Sequence, residues 1–248
     1  AAAIAVNQYL SENQLAGTLR YYGCPGEEGG SGKTFMAREG AFDGADVAIT
    51  WHPMTHNTVF SMSTLANVQV AFKFHGKSSH AGTSPHLGRS ALDAVELMNV
   101  GVNYLREHIV QEARVHYAIT NAGGTSPNVV QSETEVLYLI RAPKVAQVQE
   151  IYERICKIAQ GAAMMTETQC EIAFDKACSN YIPNRVLGKL LLKNFNEVGV
   201  PQPDEQETGF ACAIQNTLTE QERSSDLKMA ADFIGEERKD LLQTLRQA

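Results

Sequence analysis

The sequence lacks the features that mark nucleic-acid-binding, membrane or disulfide-stabilised proteins. No stripe of lysine and arginine is present and the formal net charge is −7, so nothing would neutralise phosphates. No apolar run is long enough to span a membrane, and the apolar first ten residues are uncharged, unlike a signal peptide. The cysteines, five in number and without paired spacing, favour reduced thiols. These absences predict a cytoplasmic globular protein with neither a nucleic-acid nor a membrane partner.

The first 66 residues have the pattern of a parallel α/β sheet. An alanine-rich helix is predicted over residues 1–12, and because it has neither an N-cap nor a starting methionine we expect the chain to be truncated there. Strands are predicted over residues 18–22 and 46–51, with a helix over residues 33–39 that ends at Gly40. Strand, helix and strand would form one βαβ unit.

The next 114 residues change from this pattern to a longer series of elements. Apolar residues alternate from Val68 to Phe74, which is typical of a half-buried strand, and two later segments show the apolar stripe of a helix. Strands are predicted over residues 67–74, 114–121, 133–141 and 169–175, and helices over residues 88–109 and 144–165. The order β-α-β-β-α-β is that of the ferredoxin-like split unit.

The domain boundaries follow from where helix resumes. A helix is predicted over residues 183–198, so we expect residues 67–180 to be an inserted domain. Residues 1–66 and 181–248 would then form a second, partial domain of the α/β class. A further amphipathic helix is predicted over residues 226–246 of the polar tail.

Two adjacent carboxylates give the densest chemical signal. Residues 24–30 read CPGEEGG, and Glu27 and Glu28 would follow the first predicted strand, where open α/β sheets place their sites. Neighbouring side chains point in different directions, so one carboxylate can ligate a metal while the other serves as a general base. A solvated acidic loop is the alternative, and it is the commoner situation for an isolated Glu-Glu pair.

His52 would lie at the end of the second predicted strand, on the same sheet edge. A carboxylate and an imidazole make half of a zinc or manganese site, although a histidine at a strand end is more often structural. His56 in the following loop is not assigned as a ligand. The stretch EEGGSGKT at residues 27–34 imitates a phosphate loop, but Glu27 occupies the position where that motif requires glycine, and its carboxylates would repel a triphosphate.

Two loops of the inserted domain carry further candidates. Residues 78–82 read SSHAG, in which His80 lies among small residues and could donate a hydrogen bond to an oxyanion. His86 and Arg89 precede a predicted helix and could meet an anion or cap that helix. Asn128 lies in a turn between strands and could bind substrate or shape the turn.

Taken together and in order, these motifs resemble the metallo-amidohydrolase and di-zinc peptidase family. That family includes glutamate-releasing carboxypeptidases, aminoacylases and auxin-conjugate hydrolases, and the resemblance covers residues 1 to about 200. It rests on CPGEEGG at residues 24–30, WHP at 51–53, SHAG at 79–82 and PHLGRSALDA at 85–94.

The resemblance implies that residues 67–180 are an inserted lid or dimerisation domain and that residues 1–66 and 181–248 form a partial, metallopeptidase-like catalytic domain. It also implies roles for individual residues. Glu27 would be the general base, Glu28 a ligand of one metal and His52 a ligand of the second. His80 would reach from the inserted domain into a partner subunit's active site to stabilise the oxyanion, and Asn128 would contact substrate. The implied reaction is metal-dependent hydrolysis of the amide bond of an N-acyl amino acid such as aminobenzoyl-glutamate, in a homodimer that holds two divalent ions, zinc or manganese.

The chain departs from the family pattern in its ligands. The family's Cys-x-His segment and acid-His pair upstream, and its histidine near the C-terminus, have no counterpart here, and Cys24 is not in the position of the ligand cysteine. We therefore expect a fragment truncated at both ends that binds metal weakly and has little activity, which leaves open a partner subunit. The alternative is a catalytically inactive dimerisation or binding module derived from the same family.

Overall fold

The computed structural model describes residues 1–53, 57–225 and 228. It divides into two compact units, Ala1–Ile49 and Thr50–Ala248. Among the described residues, no helix is both long and apolar enough to cross a membrane. The expected helix over residues 226–246 lies outside the described residues, apart from Lys228.

The first unit contains three helices, α1 (Ala2–Glu12), α2 (Glu27–Gly30) and α3 (Gly32–Arg38). Helices α1 and α3 confirm the two helices predicted in this segment, whereas α2 was not predicted. Helix α3 ends at Arg38, and the glycine predicted to follow this helix, Gly40, has a φ of +76°, which suits a residue without a side chain. None of residues 1–49 is fully buried. Within this unit the aromatic rings of Tyr22 and Phe42 pack edge-on, with their centroids 4.9 Å apart.

The strands predicted over residues 18–22 and 46–51 are wrong. No strand forms anywhere in residues 1–53, so the βαβ unit is not observed there. A strand needs hydrogen bonds to a neighbour, and alternation in one segment does not supply that neighbour. Glu27, Glu28 and His52 therefore do not lie at strand ends.

The second unit contains the predicted four-stranded sheet. Its strands are β1 (Ala66–His75), β2 (Arg114–Asn121), β3 (Glu133–Ala142) and β4 (Gln169–Cys178). Their order in the sheet is β2-β3-β1-β4 and each neighbouring pair is antiparallel. This arrangement confirms the ferredoxin-like unit and leaves β2 and β4 as the two edges.

Two helices cover one face of the sheet and enclose the core. They are α4 (Ala91–Leu105) and α5 (Val145–Thr166). Helix α4 begins where the Ser90 side chain accepts a hydrogen bond from the Asp93 backbone N–H, three residues later than predicted. The alternating residues of β1 face these helices, and Val70, Phe72 and Phe74 are completely buried against apolar residues of both helices. Burial of such side chains, about 1.5–3 kcal/mol each, stabilises the domain.

Further helices follow the sheet. Helix α6 (Arg185–Val198) agrees with the prediction, and the Asn184 side chain caps its first turn by accepting from two backbone N–H groups. Helix α7 (Glu205–Gln215) was not predicted, although Asp204 and Glu207 cap its start reciprocally. Neither helix has a fully buried residue.

Candidate functional site

His80 and Asn128 form the central contact of the candidate site. They are 48 positions apart in the sequence, yet the His80 Nε2 and Asn128 Nδ2 atoms lie 3.1 Å apart. The other ring nitrogen, Nδ1, accepts hydrogen bonds from the backbone N–H groups of Gly82 (3.2 Å) and Thr83 (3.1 Å). The imidazole is thus held on both sides while both residues remain exposed.

Two loops at one end of the sheet place this pair. Residues 76–90 follow β1 and residues 122–132 precede β3, and main-chain hydrogen bonds join them. The Ala81 N–H donates to the Asn128 carbonyl (3.0 Å) and the Val130 N–H donates to the Ser79 carbonyl (3.0 Å). These bonds bracket His80, so its position is set by the backbone of both loops and not by side-chain packing.

Glycine is required at two points of the first loop. A side chain at Gly76 would collide with the carbonyl of Arg89, because the two backbone segments pass in direct contact. A side chain at Gly88 would collide with the Ser79 hydroxyl and would touch Val130 at 3.0 Å. The motifs SHAG and PHLG are therefore parts of one folded loop, which explains why they occur together.

Arg89 fixes the far side of the same loop. Its Nε donates to a carboxylate oxygen of Glu167 at 2.8 Å, and its Nη1 donates to the carbonyl oxygens of Gly88 (2.6 Å) and His86 (3.3 Å). Glu167 ends α5 in the left-handed conformation, φ 53°. His86 is exposed on a short 3-10 turn, Pro85–Leu87. The Arg89 guanidinium group therefore donates three hydrogen bonds to residues of its own domain.

Glu27 and Glu28 occupy the first turn of α2 and are both exposed. The turn begins after Gly26, φ 64°, and is closed by a hydrogen bond from the Gly30 N–H to the Gly26 carbonyl, 2.8 Å. A side chain at Gly32 would collide with the Pro25 carbonyl. The glycines of this segment thus allow a tight turn that presents two neighbouring carboxylates to solvent.

His52 is exposed, and its Nδ1 lies 2.7 Å from the Pro53 carbonyl oxygen. A carbonyl only accepts, so Nδ1 carries the proton and the Nε2 lone pair remains available, as in many metal-bound histidines. Even so, no three His, Cys, Asp or Glu side chains come together as a metal-binding group among the described residues. Glu28 and His52 alone are too few donors to hold a zinc ion.

The two hydrogen bonds of His80 Nδ1 and the ion pair of Arg89 with Glu167 could not be predicted from the sequence. The acceptor role of His80 Nδ1 depends on the main chain of Gly82 and Thr83, and main-chain donors are the same in every sequence. Glu167 lies 78 positions from Arg89, at a helix end that only the fold brings near. Its one local signal is its place just beyond the last apolar position of the predicted helix.

Comparison with known proteins agrees with this architecture. Residues 65–164 match the peptidase dimerisation domain. The chain is 57% identical over 236 residues to one of the subunits of p-aminobenzoyl-glutamate hydrolase from Escherichia coli K12, covering 95% of this chain and 49% of that protein. It is 33% identical over 181 residues to the Xaa-Arg dipeptidase of Homo sapiens, covering 72% of this chain and 41% of the dipeptidase.

Among solved structures, the chain is similar to an aminobenzoyl-glutamate utilization protein from Klebsiella pneumoniae. The identity is 27% and the TM-score 0.47, over 56% of this chain and 35% of that one. The chain therefore spans about half the length, or less, of the relatives that it matches.

Proposed function

The chain belongs to the amidohydrolase and peptidase family that carries this dimerisation domain, and from that premise we propose that it forms part of a metal-dependent hydrolase of N-acyl amino acids such as aminobenzoyl-glutamate. The observation that carries the proposal is the 57% identity to a hydrolase of that name.

The proposed roles of the side chains follow their chemistry. Glu27 is the general base, Glu28 is a ligand of one divalent ion and His52 is a ligand of the second, each ion being zinc or manganese. Such an ion would acidify water and polarise the amide carbonyl when bound. Two protein donors are too few to hold zinc, so we expect this chain to bind metal weakly.

His80 is proposed to stabilise the oxyanion that forms when the amide carbonyl is attacked. Its ring is exposed at a loop that is anchored at both ends, which suits a donor that must reach beyond its own domain. Asn128, His86 and Arg89 are proposed to contact the substrate from the same end of the sheet. For Arg89 this contact would compete with, or add to, its ion pair with Glu167.

A homodimer would let His80 act in the site of a second subunit. The surface that favours it consists of exposed apolar residues on α4 and on the edge strand β2, which we call the α4–β2 surface: Leu97, Val100, Tyr104, Tyr117 and Ile119. The Tyr117 ring stacks on the buried Tyr138 ring, so the Tyr117 side chain lies on the face of the sheet that the helices cover. Pairing β2 with its copy would satisfy edge backbone groups and cover the apolar residues under two-fold symmetry.

The alternative function is a catalytically inactive dimerisation or binding module. The observation that favours it is that the described residues contain no group of three metal-ligating side chains. The proposed setting for either function is the cytoplasm, and Cys24, Cys156, Cys170 and Cys212, which are free thiols, suit a reducing compartment.

Metal content separates the two functions. We expect the isolated chain to retain well under two equivalents of zinc after dialysis, measured by elemental analysis. A chimera in which this chain replaces the matching half of the E. coli protein should bind more metal and hydrolyse aminobenzoyl-glutamate. An inactive, metal-free chimera would favour the binding module, whereas two tightly held ions in the isolated chain would contradict the assigned ligands.

Substitutions in that chimera test the roles of the two carboxylates. Glu27→Gln should abolish turnover and leave the metal content unchanged, because a base is lost and no ligand is. Glu28→Gln and His52→Ala should lower the metal content. If Glu27→Gln lost metal as Glu28→Gln does, the two roles would be wrongly assigned.

Mixing variants tests the donated histidine. His80→Ala should reduce turnover without changing metal content or dimer formation, and adding the Glu27→Gln protein should restore part of the activity. Recovery is expected because one hybrid site then holds both an intact base and an intact His80. No recovery, despite exchange of protomers shown by mass spectrometry, would refute the shared site.

A further inference from the structure

The hydrogen bonds at His80 Nδ1 determine which form of the imidazole is present. Both partners are backbone N–H groups, of Gly82 and Thr83, and such groups only donate. The Nδ1 atom must therefore offer a lone pair. A neutral imidazole has one N–H, so its hydrogen lies on Nε2, and an imidazolium would direct a third hydrogen at the two amide hydrogens.

The contact with Asn128 conflicts with that form of the ring. The carboxamide nitrogen of Asn128 is the atom 3.1 Å from His80 Nε2, so an N–H of the ring would face an NH₂ group. A half-turn of the carboxamide exchanges two groups of nearly equal size and places Oδ1 at the ring instead. In that orientation every hydrogen at the contact has an acceptor.

We infer that the Gly82 and Thr83 amides hold His80 as the neutral Nε2–H form, and that Asn128 is a positioning residue whose side-chain oxygen accepts from that N–H. The ring is then fixed by two main-chain donors and one acceptor. The main chain of Asn128 strengthens the arrangement, because its carbonyl accepts from the Ala81 N–H beside His80. Side chain and main chain of one residue thus act on the same loop.

This assignment limits the chemistry open to His80. A ring with its hydrogen on Nε2 can donate a hydrogen bond through that atom but cannot remove a proton with it. It suits stabilisation of an oxyanion, which would replace the Asn128 oxygen as the acceptor. This consequence rests on the function proposed above, whereas the position of the hydrogen does not.

The form of the ring can be measured in this 248-residue chain by NMR. Two-bond and three-bond ¹H–¹⁵N correlations distinguish a protonated from an unprotonated ring nitrogen, and a His80→Gln spectrum identifies the signals of His80. We expect Nε2 protonated and Nδ1 unprotonated at neutral pH. His116, which is exposed on β2 and has none of these contacts, should show a mixture of forms. A hydrogen on His80 Nδ1, or averaging like that of His116, would overturn the inference.

The Asn128→Asp variant tests the orientation of the carboxamide. Aspartate keeps an oxygen at the ring, so the form of His80 should be the same as in the unaltered chain. If Nδ2 of Asn128 instead donated to His80 Nε2, the ring hydrogen of the unaltered chain would lie on Nδ1. The aspartate would then place its carboxylate against the lone pair of Nε2. The ring hydrogen would then move from Nδ1 to Nε2, and such a change between the two proteins would refute the proposed orientation.

Kinetics of the chimera test the positioning role. Asn128→Leu removes the acceptor and should lower kcat about tenfold, the effect of one lost hydrogen bond, with a smaller change in KM. Asn128→Asp should retain more of kcat than Asn128→Leu. A raised KM with unchanged kcat in both variants would show that Asn128 only binds substrate and does not position His80. An inactive chimera would sink the proposed function and leave the NMR result intact.

Discussion

Tyr138 and Asn99 place a polar contact inside the apolar core. Tyr138 is completely buried, Asn99 is 6% exposed, and the hydroxyl donates to the Asn99 side-chain oxygen at 2.5 Å. Burial, followed by the neighbouring Tyr117, raises the pKa of Tyr138. The hydroxyl therefore stays protonated and keeps donating throughout the neutral range.

Tyr138→Phe should cost about 1–3 kcal/mol of unfolding free energy, because it leaves a buried carbonyl oxygen without a donor. Urea unfolding followed by circular dichroism measures the effect. Tyr117→Phe is the matched control, since that ring is 41% exposed and its change should stay within about 0.5 kcal/mol. Adding Asn99→Leu to Tyr138→Phe should recover part of the loss, and a double variant as unstable as the sum of its parts would contradict a direct contact.

Cys170 is a free thiol, but we expect it to react slowly with thiol reagents. Burial, with smaller contributions from Cys156 and Glu171, raises its pKa from 9.0 to about 11. We expect it to react with a thiol reagent at pH 8 far more slowly than the exposed Cys212 does. Peptide mapping after timed alkylation distinguishes the two, and equal rates would contradict the burial of Cys170.

The same shift has a defined effect on stability. Because the folded-state pKa lies above the unfolded value, the protonated thiol contributes stability in full below about pH 9. That contribution is lost as the pH rises through about 11. Cys170→Ala should therefore show a shallower loss of stability between these pH values than the unaltered chain.

Helices α4 and α5 cross closely at a glycine. A side chain at Gly101 of α4 would lie 2.7 Å from the Ile158 Cγ2 atom of α5. Gly161, on α5 itself, has nothing within 4 Å of that position. The two glycines therefore have opposite roles within one helix pair.

Gly101→Ala should destabilise the domain by about 1–3 kcal/mol, the usual cost of overpacking. Gly161→Ala should stabilise it by about 0.5–1 kcal/mol, because alanine has the higher helix propensity and meets no obstacle. Denaturation midpoints of both variants against the unaltered chain give the comparison. The close crossing would be disproved if the two substitutions shifted the midpoint in the same direction.

The elements that sequence could predict are those with a local signal. Alternation from Val68 to Phe74 and the apolar stripes of α4 and α5 are repeated along one segment, and all three elements are confirmed. The segments at residues 18–22 and 46–51 have similar composition but no neighbouring strand, and a strand requires one. Helix α7 was missed because its caps, Asp204 and Glu207, lie in a polar segment without an apolar stripe.

The sequence could single out residues for the candidate site, whose roles stay predictions, but it could not predict the contacts between them. His80 and Asn128 each follow from a loop motif, but the 3.1 Å contact between them depends on how two loops meet after β1 and β3 pair. For Arg89 the sequence left open an anion or a helix cap, and in the structure Arg89 forms an ion pair with Glu167 of its own domain. The roles proposed for Glu27, Glu28 and His52 stay predictions.

At the scale of the whole molecule, the α4–β2 surface predicts association. Val100→Asp should convert a dimer at micromolar concentration into a monomer, because it places a charge in the middle of an apolar interface. Sedimentation velocity measures the change. Phe174→Asp is the matched control, since Phe174 is 60% exposed on the opposite edge strand β4. A dimer lost in the control and kept in Val100→Asp would move the interface to β4.

The central position of β1 also has a consequence during synthesis. Its partners are distant: Ala66 lies opposite Ala142, and Asn67 lies opposite Cys178. At roughly 5–20 residues per second, a ribosome needs on the order of 5–20 s after making β1 to deliver both neighbours. During that interval Val70, Phe72 and Phe74 have no sheet to cover them. We expect the nascent chain to bind chaperones until β4 has left the ribosome, and to lose that binding soon afterwards.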